Sequence, residues 1–115
     1  MTIDLSKQRV FIRPGSTDLR KGAGGLAGII EQQMRGELFS GDIYLFCNKP
    51  RTLLKALWWD RSGFWLCQKR LEQDKYPWPR EQSQARELSA EEFWMLLDGI
   101  DFFGAHKTLY YKKVS

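Results

Sequence analysis

Two apolar, strand-prone runs that flank a short polar turn dominate the hydrophobic pattern of this chain. The runs cover residues 53–59 and 64–71, and the turn between them, DRSG at residues 60–63, ends in the glycine that a hairpin turn prefers. Side chains alternate between the two faces of a strand, and here both faces are largely apolar near the turn. The pattern predicts one long β-hairpin over residues 53–78, buried near its turn and exposed to solvent around residue 70.

The chain ahead of the hairpin contains two further predicted strands with a helix between them. Residues 9–13, in which two arginines flank a short apolar run, predict the first strand, and DIYLFCN at residues 42–48 predicts the second. Apolar residues recur at steps of three and four over residues 19–34, which is the spacing of a helix with one apolar face. We expect this helix to begin at Ser16 or Thr17, because both are good N-caps. Arg20 and Lys21 would then lie in its first turns.

Four glycines interrupt this predicted helix. They are Gly22, Gly24, Gly25 and Gly28. Each costs a helix about 0.5–1 kcal/mol relative to alanine, so their number requires a reason. Close packing of the helix on a sheet is the simplest one. Gly36 is the predicted end of the helix.

The C-terminal part of the chain predicts a polar linker and a second helix. Prolines at positions 77 and 79 end the sheet, since proline cannot donate to a strand ladder, and residues 80–87 form the linker. Ser89 then provides an N-cap and Glu92 closes a capping box. The second helix is predicted to end at Gly99.

These elements predict a single α+β domain over residues 1–115, in the order β-α-β-β-β-α, with a mainly antiparallel sheet and two packed helices. A chain of 115 residues can bury one core, and a composition of 43% hydrophobic and 28% charged residues argues against a disordered regulator. Two interpretations of residues 102–115 stay open, a terminal strand or a mobile basic tail.

The distribution of charged residues along the chain is more informative about function than the net charge. The formal net charge is +4, which is compatible with a polyanionic partner. Between Lys49 and Arg80, eight Lys or Arg residues stand against three acidic residues, so this segment carries more positive charge than the whole chain. The same segment contains four of the five tryptophans. Cations interleaved with aromatic rings are typical of nucleic-acid-binding surfaces, and they are also typical of a core with long charged side chains at its edges.

No combination of residues points to catalysis or to a bound metal. Cys47 and Cys67 are far apart and follow no ligand spacing, and we expect both to be reduced. The single histidine, His106, has no recognisable nucleophile near it and is expected at the surface. Four aspartates would need the fold to bring them together before they could hold a metal: Asp18, Asp60, Asp98 and Asp101. The sequence therefore predicts no enzyme, no metal site and no cofactor.

The chain carries no sequence feature of a membrane protein. The first residues lack a basic segment followed by an apolar one, and no apolar run approaches the roughly 20 residues that cross a bilayer. We therefore expect a cytoplasmic protein without a membrane partner.

Six short motifs occur in an order and spacing that resemble one known family. They are Thr17-Asp18-Leu19-Arg20-Lys21-Gly22, Leu57-Trp58-Trp59-Asp60, Gly63-Phe64-Trp65-Leu66, Lys69-Arg70-Leu71-Glu72, Trp78-Pro79 and Leu96-Leu97-Asp98-Gly99-Ile100-Asp101. Over residues 9–101 the chain resembles the small accessory protein of insertion sequence 66 type transposons, which is encoded by the second open reading frame and is often labelled TnpB. The resemblance implies a protein that assists transposition beside a separate transposase, and it supplies no catalytic residues.

Two hypotheses about molecular function follow. The first is a non-enzymatic accessory factor that binds DNA at the transposon ends, with cations on phosphates and an exposed subset of tryptophans stacking or wedging. Its candidate residues are Arg20, Lys21, Lys49, Arg51, Lys55, Arg61, Lys69, Arg70, Trp58, Trp59 and Trp65. The second is a protein-interaction module whose aromatic hairpin binds the transposase or a second copy of the chain as a homo-oligomer. The hydrophobic pattern favours the solvent-exposed end of the hairpin, at Lys69 and Arg70, as its functional part.

Overall fold

The computed structural model describes residues 3–80 and 86–100, and within them one five-stranded sheet carries a helix on each face. The elements are β1 (Val10–Ile12), α1 (Ala23–Ile29), a π-helical turn (Ile30–Met34), β2 (Ile43–Cys47), β3 (Leu53–Asp60), β4 (Gly63–Arg70), β5 (Arg86–Leu88) and α2 (Ala90–Leu97). The predicted α+β class and the predicted succession of elements are confirmed. The structure adds one short strand, β5, at the end of the segment predicted to be a linker.

The sheet has the strand order β4-β3-β2-β1-β5, and three of its four strand pairs are antiparallel. The exception is the pair of β1 with β2, which run parallel with Val10 opposite Ile43. Because parallel strands end at the same edge of a sheet, the loops that follow Ile12 and Cys47 meet there. This edge positions the candidate site.

The predicted hairpin is confirmed over residues 53–70. β3 and β4 pair along their whole length, from Leu53 opposite Arg70 to Asp60 opposite Gly63. The chain then leaves the strand and crosses the end of the sheet, where the backbone N–H of Tyr76 donates to the carbonyl of Arg51 at 2.8 Å.

Each face of the sheet has its own core. Trp58 of β3 lies on one face, in a cluster with Phe93 and Leu96 of α2, and Leu57 lies on the other with Leu26 of α1. Trp58 is only 3% exposed, so its ring belongs to the core and cannot stack on a base. Trp58 therefore does not belong to the exposed subset of tryptophans that was expected to stack or wedge.

The predicted start of the first helix is also wrong. α1 begins at Ala23 with Gly22 as its N-cap, several residues after Ser16 and Thr17. Thr17 is engaged elsewhere, since its N–H donates to the carbonyl of Cys47 at 2.8 Å and its hydroxyl accepts from the Arg13 guanidinium at 2.7 Å. A side chain and backbone fixed in this way are not available to cap a helix, so residues 13–22 form a loop tied to the end of β2.

Close packing does not explain the glycines of the first helix. A Cβ added at Gly22, Gly24 or Gly28 would meet nothing within 4 Å, and one at Gly25 would touch only the side chain of Lys21. The expectation that these glycines face the sheet is therefore wrong. The close approach occurs instead at Gly36, where a Cβ would lie 2.7 Å from ring carbons of Tyr44.

The second helix follows its sequence prediction at both ends. The Ser89 hydroxyl accepts from the N–H of Glu92 at 3.1 Å, and the Glu92 carboxylate accepts from the N–H of Ser89 at 2.9 Å, which completes the capping box. At the other end Gly99 has a positive φ of 76°, and the N–H of Ile100 donates to the carbonyl of Met95 at 2.9 Å. This is the backbone geometry of a glycine-terminated helix.

Several sequence predictions lie outside the described residues. The two interpretations of residues 102–115, the surface position of His106 and any role of Asp101 all fall within residues 101–115. Most of the predicted linker falls within residues 81–85. These remain predictions.

Candidate nucleic-acid interface

A concave, positively charged surface lies at the edge of the sheet where β1 and β2 end. Its first part, of about 450 Å³, is lined by four cations, and no acidic side chain among the described residues lines it. Those cations are Lys49, Arg51, Lys75 and Arg80. The second part, of about 520 Å³, adjoins the first through Ser16, Asn48 and Lys49, and its lining extends to Leu53 and to both Arg20 and the acidic Asp18. We call the two parts together the basic groove.

Hydrogen bonds between three loops give the basic groove its shape. The N–H of Gly15, in the loop after β1, donates to the carbonyl of Pro79 at 2.8 Å. In the loop after β2, the Asn48 side-chain oxygen accepts from the N–H groups of Thr52 and Leu53 at 2.9 and 3.1 Å. This turn holds Arg51 at a positive φ of 63°. The cations are therefore presented by loops with fixed backbones.

The third wall of the groove, residues 75–80, is held by two buried aromatic side chains. The Tyr76 hydroxyl donates to the carbonyl of Lys69 at 2.8 Å, and burial raises the pKa of this phenol to about 12. The Trp78 indole N–H donates to the carbonyl of Arg13 at 2.8 Å. These contacts fix the backbone on which Lys75 and Arg80 stand.

The structure brings part of the predicted cation set to this groove. Lys49 and Arg51 line it, and Arg20 lines its second part. Arg70 stands opposite Leu53 in the ladder, at the same end of the sheet. Within residues 3–80 and 86–100, five side chains at this end make no hydrogen bond or salt bridge: Lys49, Arg51, Arg70, Lys75 and Arg80.

Arg20 differs from these cations because it is paired. Its guanidinium contacts the Asp18 carboxylate with two nitrogens, at 2.7 and 2.9 Å, and these hydrogen bonds lower the pKa of Asp18 and raise that of Arg20. Much of its charge is therefore neutralised locally. Arg20 and Lys21 also precede α1, so their predicted place in its first turns is wrong.

Two other predicted contacts are used by the fold itself. The Lys55 ammonium donates to the carbonyl of Leu19 at 2.6 Å and so ties the loop before α1 to the sheet. The Lys69 ammonium donates to the carbonyl of Leu97 at 2.7 Å and lies 4.0 Å from the Asp98 carboxylate, where a cation satisfies the C-terminus of α2. Both partners are far away in sequence, so no local pattern reveals these roles.

Arg61, Trp59 and Trp65 lie at the opposite end of the hairpin. At roughly 3.4 Å per residue along β3, Leu53 is about 24 Å from the end of the strand beside Arg61, about 20 Å from Trp59 and about 17 Å from Trp58, which stands opposite Trp65. Trp65 is 39% exposed, and its indole N–H donates to the Asp60 carboxylate at 2.9 Å. The structure therefore does not bring these three residues to the basic groove.

Trp59 belongs to a cluster of three rings in which it and Phe64 are half-buried and Phe39 is exposed. Its centroid lies 4.9 Å from that of Phe39 and 5.1 Å from that of Phe64, both in edge-on contact, and Phe39 is 64% exposed. We call Phe39, Trp59 and Phe64 the aromatic cluster. No cation–π contact joins it to a Lys or Arg among the described residues.

Sequence reasoning missed three residues of these two surfaces. Lys75 and Arg80 contribute to the excess of cations after residue 49, yet they fall outside the hairpin strands and are absent from the candidate set. The sequence feature that could have identified them is their position on either side of the two prolines, where the chain crosses the end of the sheet. Phe39 directly follows the apolar Leu38 after the first helix, and nothing local in the sequence marks its ring as exposed.

The described part of the chain offers no alternative chemical centre. Within residues 3–80 and 86–100, no three His, Cys, Asp or Glu side chains are grouped to hold a metal ion. Burial raises the pKa of the Cys47 thiol to about 12, so this cysteine is a poor nucleophile at neutral pH. None of the described helices is long and apolar enough to cross a bilayer.

The fold and these surfaces define a small α+β domain with a basic groove at one end of its sheet and an aromatic cluster at the other. The chain belongs to the IS66 Orf2-like protein family, whose model matches residues 8–107, and it is thus a transposition-associated accessory protein. This confirms the family resemblance of the six motifs.

Two relatives come from Sinorhizobium fredii. The uncharacterized protein y4jC is 32% identical over 94 residues, which cover 82% of this chain and 80% of that protein. The uncharacterized protein y4hO is 33% identical over 94 residues, which cover 82% of each chain. No solved structure matches this chain.

Proposed function

We propose that this chain is a non-enzymatic accessory factor of transposition that binds DNA through phosphate contacts in the basic groove. One observation carries the proposal. Four cations line a concave surface of about 450 Å³ that no described acidic side chain enters, and within the described residues they have no hydrogen-bonded or ion-paired partner.

The energetics of the groove favour a polyanion. Converging like charges repel one another and weaken the folded state, while a concave wall of low dielectric concentrates their field on a bound anion. A DNA strand that neutralises these charges also releases condensed counterions, which drives binding at low salt. The cations that lack internal partners are therefore best matched by phosphates.

Salt dependence of DNA binding tests this proposal. With four phosphates neutralised, the affinity for duplex DNA from the transposon ends should fall about 100-fold between roughly 50 and 200 mM salt. The double variant Lys49→Ala/Arg51→Ala should reduce the slope of log affinity against log salt by about two. Fluorescence anisotropy with labelled DNA measures both quantities.

Arg61→Ala is the matched control for this experiment. It removes an exposed arginine from the opposite end of the hairpin, so affinity and salt slope should remain those of the wild type. Absence of binding at low salt, or an affinity that does not change with salt, would reject the proposal.

A second candidate function is a protein-interaction module that binds the transposase of the same element. The observation that favours it is the aromatic cluster, in which the exposed Phe39 ring packs on the half-buried Trp59 ring, because aromatic side chains are enriched in interface hot spots. Phe39→Ser should abolish co-purification with the transposase while circular dichroism of the variant remains unchanged. Equal recovery of transposase by the wild type and Phe39→Ser would reject this function, and Lys49→Ala/Arg51→Ala serves as the control.

A further inference from the structure

We infer that the basic groove holds the phosphate backbone of duplex DNA without reading the base sequence. This inference rests on the proposed function and narrows its ligand to duplex DNA of any sequence. Selection of the transposon ends would then reside outside this groove.

The shape of the groove is the first argument. Reading bases in the major groove requires an element that projects into it, such as a helix or a two-stranded ribbon. The cations here instead surround a depression between three loops, over residues 13–18, 48–52 and 75–80. A depression fits the convex ridge of a DNA backbone and cannot reach the base edges, so even its arginines contact phosphates.

The neutral polar side chains of the groove are the second argument. Asparagine reads adenine with its amide oxygen and nitrogen together, but the Asn48 oxygen already accepts from two backbone N–H groups and its nitrogen donates to the Thr52 hydroxyl at 3.1 Å. Thr17 is 6% exposed and its hydroxyl accepts from Arg13. Ser16 remains, and a single hydroxyl bonds to any base.

The aromatic residues argue for duplex over single-stranded DNA. Proteins that bind single strands stack the bases on exposed rings. Among the described residues, Trp78 is the one ring that lines the groove, and it is 7% exposed with its N–H held by the Arg13 carbonyl. Three described rings are exposed: Phe39 and Trp65 lie toward the other end of the hairpin, and Trp94 stands on α2. None of them lines the groove, so no described ring offers a stacking surface within it.

A comparison of three DNA probes at one salt concentration tests this inference. The probes are a duplex of the transposon end, a duplex of the same composition in scrambled order, and one strand of the first duplex. We expect the two duplexes to bind within about twofold of each other, whereas sequence readers prefer their site by a factor of about 1,000 or more. The single strand should bind more weakly than either duplex.

The outcomes separate this inference from the proposed function. Failure of all three probes to bind at low salt rejects DNA binding itself. Two results would overturn only the inference. One is a preference above tenfold for the transposon end that is lost in Lys49→Ala/Arg51→Ala, and the other is tighter binding of the single strand than of the duplexes. A preference that this double variant retains would place base reading outside the groove, as inferred.

Discussion

The three tryptophans of the hairpin lie within eight residues of one another, and each ring has a different environment. Trp58 is in the core, Trp59 packs on two phenylalanines, and Trp65 is 39% exposed with its N–H on Asp60. The lysines divide in the same way, since Lys55 and Lys69 bond to backbone carbonyls while Lys49 faces the groove. Whether a tryptophan or lysine of this chain serves the core or a surface is therefore decided by the residues around it and not by its type.

Replacement of two of these tryptophans should separate core from surface. Trp58→Ala removes a buried ring and should lower the free energy of unfolding by about 3–5 kcal/mol. Trp65→Ala removes a partly exposed ring and should cost about 1 kcal/mol. Urea denaturation of both variants measures the difference, and equal losses would contradict the described burial.

The buried Cys47 thiol predicts a loss of stability at high pH. Burial raises its pKa from 9.0 to about 12 in the folded protein, so the folded chain keeps a proton that the unfolded chain releases. Its contribution is therefore complete below about pH 9 and declines as the pH rises toward 12. Tyr76 adds a parallel contribution, because burial raises its pKa from 10.0 to about 12.

Urea denaturation at pH 7.5 and 10 checks this prediction. The free energy of unfolding should decrease over this interval in the wild type and decrease less in Cys47→Ala, which lacks the thiol but keeps Tyr76. The same decrease in both proteins would show that Cys47 does not titrate with a raised pKa.

At the element scale, α1 has few of the local features that stabilise a helix. It has seven residues, and no side chain caps its N-terminus. Gly24 and Gly28 reduce its helix propensity further without a packing reason, since a Cβ at either position meets open space. Its stability must come from the apolar residues that it buries on the sheet, such as Leu26 and Ile29.

Alanine at these positions should therefore strengthen the helix. Gly24→Ala and Gly28→Ala should each raise the free energy of unfolding by about 0.5–1 kcal/mol. Gly36→Ala is the contrast, because its new methyl group would overlap the Tyr44 ring, and it should destabilise the protein. Thermal unfolding followed by circular dichroism ranks the three variants, and destabilisation by all three would contradict the open space around Gly24 and Gly28.

Elements were predictable from sequence where their causes are local. Alternation marks β3 and β4, and the capping box of Ser89 and Glu92 marks α2. The start of α1 was not predictable, because Thr17 bonds to Cys47, 30 residues away. The pairing of β5 with β1 likewise joins residues more than 70 positions apart, such as Val10 and Leu88.

The candidate site was predictable only in part, for the same reason. The excess of cations after residue 49 covers the region of the basic groove, and Lys49 and Arg51 line this groove. The sequence did not distinguish Lys55 and Lys69 from the cations of the groove, because their carbonyl partners lie 36 and 28 residues away. Charge composition therefore indicated the region of the basic groove. Only the fold distinguished the cations that bond to backbone carbonyls from those without internal partners.

At the scale of the whole molecule, the sheet separates two surfaces with different chemistry. The basic groove lies where β1 and β2 end, and the aromatic cluster lies about 20 Å away along β3, toward the turn of β3 and β4. Sites this far apart that share no side chain act independently. Phe39→Ser should therefore leave DNA affinity within about twofold of the wild type, as measured by the same anisotropy titration. A tenfold loss of affinity would contradict this independence.

The central claim is that DNA binds at the end of the sheet and not at the hairpin turn. Amide chemical shifts of the ¹⁵N-labelled protein, followed by NMR as duplex DNA is added at low salt, test this directly. Binding in the basic groove should change the shifts mainly in residues 13–20, 48–52 and 75–80, and these changes should reverse as salt is raised. Changes concentrated in residues 59–65, with the groove unaffected, would contradict it.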